Sequence, residues 1–438
     1  MPLTSRNESM KNRAQLLLIA ALVIFSLAAL GWAGVNFFAS PGSAAGQSNA
    51  AAIPSAEQQI ARYRNQLARM PDNPYFLAQL GLAYLQQVRE TADATTYLQA
   101  EAAFEAALAH DPEQIDALVG QGVLALARHD FSGALAWAEK ARAVNPFRSD
   151  VLGIMVDAEV ELGRYEAAAA SAQEMVDMKP DLASYSRVSY IRELHGDVPG
   201  AIEAMQAAAE SGLPGAEGTL WALYQLGTLY FHAGEWEAAA AVYQRALQIK
   251  PDYPYAQAGI ARVQAAQGDY RAAIGIMEPL TTRLPLPQFV IQLGDLYWKT
   301  GQTERAQQQY DLVRAIQQLN AESGMNVDLE LALFEADYGD PAAALAQAQA
   351  AYEARPSIYG ADVLAWALYQ NGRYEEAYQY SQEALRLGTR DALLYFHAGM
   401  IAMAVGNTAE GEGYVNEALS INPAFSLRFG ETAVELTN

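Results

Sequence analysis

Cysteine is missing from the 438-residue sequence, and positive charge is scarce, since 28 lysines and arginines stand against 50 aspartates and glutamates. A chain without cysteine forms no disulfide and offers no thiolate metal site and no cysteine nucleophile. Many exported proteins also lack cysteine, so its absence leaves the compartment open. The formal net charge of −22 argues against nucleic acid as a partner, because phosphate binding needs a basic surface. We interpret the acidity mainly as a source of solubility.

Motifs that carry chemistry are also sparse. None of the five histidines lies four residues from another, which is the spacing of a helical zinc site. A Walker lysine and a Gly-x-Ser-x-Gly elbow are both missing from the sequence. Paired carboxylates such as Glu375 and Glu376 fit solvated helix faces. We therefore expect no enzyme activity, no cofactor and no metal site.

One uncharged hydrophobic stretch, residues 15–38, is long enough to cross a membrane. Its 24 residues would extend about 36 Å as a helix, against a hydrocarbon core of about 30 Å. Arg6, Lys11 and Arg13 precede it, and the next charged residue is Glu57. The positive-inside rule therefore predicts a single-pass helix in a bacterial-type cytoplasmic membrane, with residues 1–14 in the cytoplasm and the rest in the periplasm or extracellular space.

A cleavable signal peptide is the competing interpretation of this stretch. Ser43, Ala44 and Ala45 form a passable cleavage site, but the apolar run is longer than the usual 7 to 15 residues or so, which favours retention. Either outcome exports the remainder of the chain. Residues 39–54 are small, uncharged and turn-rich, which predicts a flexible tether.

The rest of the sequence is dominated by helix-forming residues and carries an internal repeat. Prolines recur 34 residues apart, which is the tetratricopeptide period, at Pro112, Pro146 and Pro180 and again at Pro251 and Pro285. Such spacing predicts that each proline stops the second helix of a helix pair.

The clearest single unit runs from residue 220 to Pro251. Gly227 is small enough for a second helix to cross close by, and Gly234 closes the first helix. Tyr243 is expected to fill the gap between neighbouring repeats. A Gly-x-aromatic-x-x-Ala turn returns at Gly163–Ala168, Gly268–Ala273 and Gly372–Ala377.

These residues closely resemble the tetratricopeptide-repeat family, and the resemblance extends over almost all of the chain after residue 70. It implies an all-α, right-handed superhelical solenoid of about ten helix-turn-helix units in residues 71–423. In one degenerate copy His129 replaces the turn glycine, and another, near Gly81, has roughly seven extra residues in its turn. Residues 211–219 and 315–325 fall out of register, and we expect them to be joints.

Caps are expected at both ends of the array. Residues 55–70 carry Ser55 and Gln58 at capping-box spacing, which predicts a helix that covers the first repeat. Residues 424–438 have enough apolar side chains to cover the last repeat but too few to form another.

The resemblance also implies where partners bind. In this family the first helix of each pair lines the concave surface, and the register transfers that role to ten positions with aromatic or histidine side chains. Family members that grip an acidic peptide use a Lys, Asn and Arg clamp, which is missing here, so a hydrophobic segment, an amphipathic helix or a partner's loop is the better ligand. The ten positions are Tyr190, Trp221, Tyr224, Phe231, His232, Tyr255, Trp298, Tyr359, Trp366 and Tyr369.

Three functional hypotheses remain open. The first is a non-catalytic interaction scaffold, tethered to the membrane, that binds or stabilises a membrane protein complex. The second is an assembly factor or substrate receptor that presents exported precursor polypeptides, comparable to repeat proteins of cytochrome c maturation. The third and weakest is an accessory module of an enzyme. The repeats alone name no partner.

Overall fold

The structure is a computed structural model that describes residues 55–91, 95–322 and 329–437. Every regular element in these ranges is an α-helix, which confirms the all-α part of the predicted fold class. The predicted membrane helix (15–38) and tether (39–54) lie outside the described residues. Among the helices that are described, none is long and apolar enough to cross a bilayer.

The described residues form 22 helices, and those between the first and the last make ten consecutive pairs. The first eleven are α1 Ala56–Leu67, α2 Pro74–Thr91, α3 Thr95–His110, α4 Ile115–Ala127, α5 Phe131–Val144, α6 Ser149–Glu161, α7 Tyr165–Met178, α8 Leu182–Leu194, α9 Val198–Ser211, α10 Glu217–His232 and α11 Trp236–Ile249. The others are α12 Pro254–Ala266, α13 Tyr270–Arg283, α14 Pro287–Lys299, α15 Thr303–Glu322, α16 Leu329–Tyr338, α17 Pro341–Ala354, α18 Ile358–Gln370, α19 Tyr374–Ala384, α20 Ala392–Ala404, α21 Thr408–Ile421 and α22 Gly430–Leu436. The prediction of about ten units is confirmed.

The helix ends follow the local signals in the sequence. The side chain of Ser55 accepts a hydrogen bond from the Gln58 backbone in a complete capping box before α1. The repeated prolines each lie two residues beyond the end of a second helix, as after α3, α5, α7, α11 and α13. His129 stands in for a turn glycine with a φ of 58°, the single non-glycine residue with positive φ among those described.

The prediction of a long turn near Gly81 is wrong in its detail. α2 is 18 residues long, compared with 13 in α4, and α3 has 16. Most of the extra residues therefore lengthen the helices. The segment before Thr91 is rich in Gln, Arg and Glu and contains no glycine or proline, so nothing in it breaks the helix.

The two segments that fall out of register have different structures. Residues 212–216 form a loop between α9 and α10, with Gly215 at a φ of 79°. Residues 315–322 instead continue α15, which has 20 residues. Their role as joints stays a prediction.

The described residues divide into two compact units. The first contains those up to Ala158 together with residues 318–322, and the second contains those from Glu159 to Gln317 and from Leu329 onward. Within the first unit, α1 packs on α2, and the ring of Phe104 on α3 lies against Gly81 and Gly120. An aromatic ring that fills the space beside glycines of two neighbouring repeats is the kind of packing that the sequence predicts at Tyr243.

In the second unit, three turns from the first half of its sequence contact backbone from the second half. A Cβ on Gly163 would lie 2.4 Å from the carbonyl oxygen of Pro356. A Cβ on Gly196 would lie 2.4 Å from the carbonyl oxygen of Gly388. A Cβ on Gly234 would lie 2.8 Å from the carbonyl oxygen of Ile421. Each turn therefore fits against backbone nearly two hundred residues away in the sequence.

Hydrogen bonds also join these turns to the later repeats. The Tyr165 hydroxyl accepts a hydrogen bond from the buried Ile358 N–H at 2.7 Å. Asn422 Nδ2 donates to the Phe231 carbonyl at 2.9 Å, and Trp236 Nε1 donates to Asn422 Oδ1 at 3.2 Å. Backbone groups at these turns are satisfied by the late repeats, so the two halves of this unit stabilise each other.

Candidate polypeptide-binding face

The ten predicted site residues differ widely in their exposure. His232 and Trp298 are exposed, with Trp298 at 39% of its maximum. Trp221, Phe231 and Trp366 are buried, at 5%, 4% and 2%. The remaining five, all tyrosines, are half-buried: Tyr190, Tyr224, Tyr255, Tyr359 and Tyr369. Most of these rings therefore pack against the chain itself, and partner binding through them stays a prediction.

One group of these rings lies between α10 and α14. Tyr224 packs against Tyr243 and Tyr255, with ring centroids 6.1 and 5.3 Å apart, and Tyr255 packs against Phe289. Burial raises the pKa of Tyr243 to about 12. Since Tyr243 also contacts Gly227 and Gly259, it fills the gap between two repeats, as the sequence predicts.

A second group lies on the first helices of four consecutive pairs. We define the late face as Trp298 on α14, Tyr338 on α16, Trp366 on α18, and Phe396 and His397 on α20. The indole of Trp366 stacks on the His397 ring at 4.1 Å, and its centroid lies 6.3 Å from that of Phe396. Tyr369 also stacks on Trp366, with ring centroids 4.9 Å apart.

Carboxylates accept hydrogen bonds from the rings in and beside the late face. Trp366 Nε1 donates to Asp337 at 2.8 Å, and the Tyr310 and Tyr338 hydroxyls donate to Asp295 at 2.9 and 2.7 Å. Burial raises the pKa values of Asp295 and Asp337 to about 6. The late face therefore combines aromatic rings with carboxylates that are only half-buried.

A buried histidine adds a third kind of group to the face. His397 Nδ1 is 3.0 Å from a carboxylate oxygen of Asp362. Burial most strongly opposes the charged form of this ring, but the charge and hydrogen bond of Asp362, together with the charges of two further aspartates, outweigh burial, so the pKa of His397 lies above its usual range. The other ring nitrogen, Nε2, is buried without a hydrogen-bond partner.

The polar residues of this site were not predicted from the sequence. Asp295, Asp337, Asp362 and His397 were not among them, and neither was Arg428 of the C-terminal segment. The available signal was an acidic residue inside the apolar stripe of a first helix, as at Asp295 and Asp362. Within the described residues, no group of three or more potential ligands is arranged to hold a metal ion.

Comparison with known proteins agrees with this geometry. Tetratricopeptide repeat models match residues 93–148, 183–252, 230–289, 287–313 and 363–424. The chain contains tetratricopeptide repeats. These matches lie in both compact units and include the helices that carry Trp298, Trp366 and Phe396. The late face is thus a first-helix face of a tetratricopeptide array.

Two relatives share 25% identity with this array. One is cellulose synthase operon protein C of Komagataeibacter xylinus, over 71% of this chain and 23% of the relative. The other is the protein of the same name from Komagataeibacter sucrofermentans, over 77% of this chain and 25% of the relative. The chain spans about a quarter of the length of the curated relatives that it matches.

The solved structures that match this chain have low sequence identity and TM-scores below 0.5. A human IFIT1 dimer with PPP-AAAA is 16% identical, covers 75% of this chain and 77% of its own, and has a TM-score of 0.48. The Cut9–Hcn1 hetero-tetramer is 14% identical, with coverages of 86% and 80% and a TM-score of 0.38. A tetratricopeptide repeat protein from Parabacteroides merdae is 14% identical, with coverages of 66% and 98% and a TM-score of 0.38.

Proposed function

We propose that this protein is a non-catalytic scaffold that binds other polypeptides at a membrane. The observation that carries the proposal is the late face, where first helices of four consecutive repeats combine aromatic rings with carboxylates. An exposed indole beside other rings suits an apolar or aromatic side chain from a partner, and the carboxylates favour a basic one. Tetratricopeptide arrays are protein-binding folds, and this array occupies nearly all of the described chain.

The location is a further part of the proposal. Residues 15–38 would hold the array at the outer side of a cytoplasmic-type membrane, either by spanning it or by directing export. Tethering raises the local concentration of the array near membrane complexes. The relatives are named for a cellulose synthase operon, so a polysaccharide synthase is the first complex to examine as a partner.

Affinity purification in mild detergent tests the proposal. The full chain and a chain that begins at Ser55 behind a cleavable export signal are expressed at native level, and the polypeptides recovered with each are quantified by mass spectrometry. We expect stoichiometric membrane proteins with the full chain, and retention of those that contact the array after truncation. Recovery of newly made precursors alone would favour an assembly factor, and recovery of the chain always by itself would contradict both.

A further inference from the structure

The chain's own C-terminal segment lies on the late face. We define this segment as residues 424–436, which follow the last repeat and include the seven-residue helix α22. The Phe429 ring lies 5.2 Å from Phe396 and 5.7 Å from Trp366, and Phe425 lies 5.4 Å from Phe396. Side chains of this segment therefore lie among the rings that the sequence predicts for partner binding.

Arg428 is the basic residue of this contact. Its guanidinium carbon is 4.5 Å from the centre of the Tyr338 ring and 5.6 Å from that of Trp298. Its charge also favours the ionised forms of Asp295 and Asp337. The arginine thus interacts with both parts of the late face, with aromatic rings through cation–π contacts and with carboxylates through their charge.

The contact has the features of a bound peptide and differs from a repeat interface. Arg428 and Phe429 are only half-buried, and Trp298, which contacts Arg428, stays 39% exposed. The ion pair between Lys299 and Glu431 joins a largely covered lysine to a carboxylate side chain that is 75% exposed. Few buried contacts hold a segment of this kind, so local opening costs less than opening of the array.

We propose that the late face binds a segment of a partner polypeptide that presents an arginine followed by an aromatic residue, and that residues 424–436 occupy the face until such a partner displaces them. This inference rests on the proposed scaffold function. The occupant is identified by complementarity: rings receive the aromatic side chain, and the carboxylates Asp295 and Asp337 attract the arginine. His397 Nε2, buried and without a partner, gives an incoming segment a further polar group to satisfy.

Occupation by the chain itself raises the apparent dissociation constant of any partner, which equals the intrinsic constant divided by the fraction of open molecules. A tethered segment acts at a high effective concentration, on the order of millimolar for a short flexible connection. Release of the segment should therefore increase the apparent affinity for a partner segment at least tenfold.

A labelled peptide with the sequence of residues 422–438 tests this competition by fluorescence anisotropy. The proteins are the unmodified full chain, the full chain with R428E and F429S, and a control with Glu435→Gln, an exposed position in α22 of the same segment. We expect at least tenfold tighter binding to the double variant than to the other two. The same peptide with R428E and F429S should not bind.

Equal binding of the peptide to all three proteins, or binding to none, would overturn the inference. Thermal unfolding checks that the double variant folds, and the single variant Arg428→Glu replaces it if not. A second measurement needs no variant: amide hydrogen exchange of the unmodified chain should be faster in residues 424–436 than in α20 and α21. Exchange of the segment only by global unfolding would also overturn the inference.

These outcomes are separable from those of the scaffold proposal. If the full chain recovers stoichiometric polypeptides but no protein binds the peptide, this inference fails and the scaffold proposal stands. If the peptide binds as expected but the chain recovers no polypeptide from cells, the scaffold proposal fails. The inference that residues 424–436 occupy the late face then still stands.

Discussion

Gly196 and Gly268 occupy equivalent turns, with φ values of 73° and 85°, but their surroundings differ. Gly196 lies against the Gly388 carbonyl, whereas nothing lies within 4 Å of a Cβ on Gly268. Both glycines are needed for left-handed backbone, which costs a residue with a side chain roughly 1–2 kcal/mol. Only Gly196 is also needed for a close approach between distant segments.

We predict that Gly196→Ala lowers the free energy of unfolding by about 3 kcal/mol or more, and that the matched control Gly268→Ala lowers it by about 1 kcal/mol. Urea denaturation followed by circular dichroism measures both. The larger loss reflects strain between backbone atoms that cannot rotate away. Equal losses at the two positions would contradict the contact between the Gly196 turn and Gly388.

Asp337 provides a second prediction, which concerns pH. Its pKa of about 6 in the folded chain exceeds the ordinary aspartate value because burial disfavours the charged form. The folded chain therefore binds this proton more tightly than the unfolded chain. The stabilisation is complete below about pH 4 and is lost as the pH rises through about 6.

We predict that Asp337→Asn, which keeps an acceptor for Trp366, raises the free energy of unfolding at pH 7.5 by about 1–2 kcal/mol and has little effect at pH 4. The gain arises because asparagine brings no charge that burial disfavours. Thermal denaturation at both pH values provides the comparison, with Asp252→Asn at an exposed position as the control. If Asp337→Asn also raised the free energy of unfolding at pH 4, or lowered it at pH 7.5, the prediction would be wrong.

At the scale of helices, Tyr243 shows how one side chain joins two repeats. It lies on a second helix and fills the space beside Gly227 and Gly259, each on a first helix. A Cβ on Gly227 would be 2.4 Å from the Tyr243 ring, whereas nothing lies within 4 Å of one on Gly413, in the exposed part of α21. Both glycines have helical backbone, but only Gly227 is packed closely against another side chain.

We predict effects of opposite sign at these two positions. Gly227→Ala should destabilise the protein by about 1–3 kcal/mol, because the ring must leave a well-packed site. Gly413→Ala should stabilise it by about 0.4–1 kcal/mol, since alanine loses less backbone entropy on folding than glycine does. Chemical denaturation of the two variants measures the difference, and stabilisation by both would show that the helices of this repeat are not in close contact.

The elements of this fold are largely predictable from sequence, because the signals are local. The 34-residue proline spacing, the turn glycines and the capping box at Ser55 predict helix pairs and their ends, and the structure has ten such pairs. The extra residues before Thr91 were less predictable. Their polar side chains suit either a loop or an exposed helix, and only the neighbouring helices decide between the two.

At the scale of the molecule, the sequence does not predict which faces are covered by distant parts of the chain. Repeat periodicity describes contacts between neighbours, whereas Gly163, Gly196 and Gly234 meet backbone that is almost two hundred residues further on. For the same reason Trp221, Phe231 and Trp366 were expected on a binding surface, and the structure buries them. The exposed members of that predicted set are His232 and Trp298, and Trp298 borders the C-terminal segment.

Site-specific photo-crosslinking most directly tests the proposal that the late face binds other polypeptides. A benzoylphenylalanine replaces Trp298 in the full chain, and a second chain carries it at Leu98, which is 65% exposed on the second helix α3. After irradiation of cells at native expression level, we predict a discrete adduct with another polypeptide at position 298 and none at position 98. Adducts that link position 298 only to this chain's own residues, or the same adducts at both positions, would contradict a polypeptide-binding scaffold that uses this face.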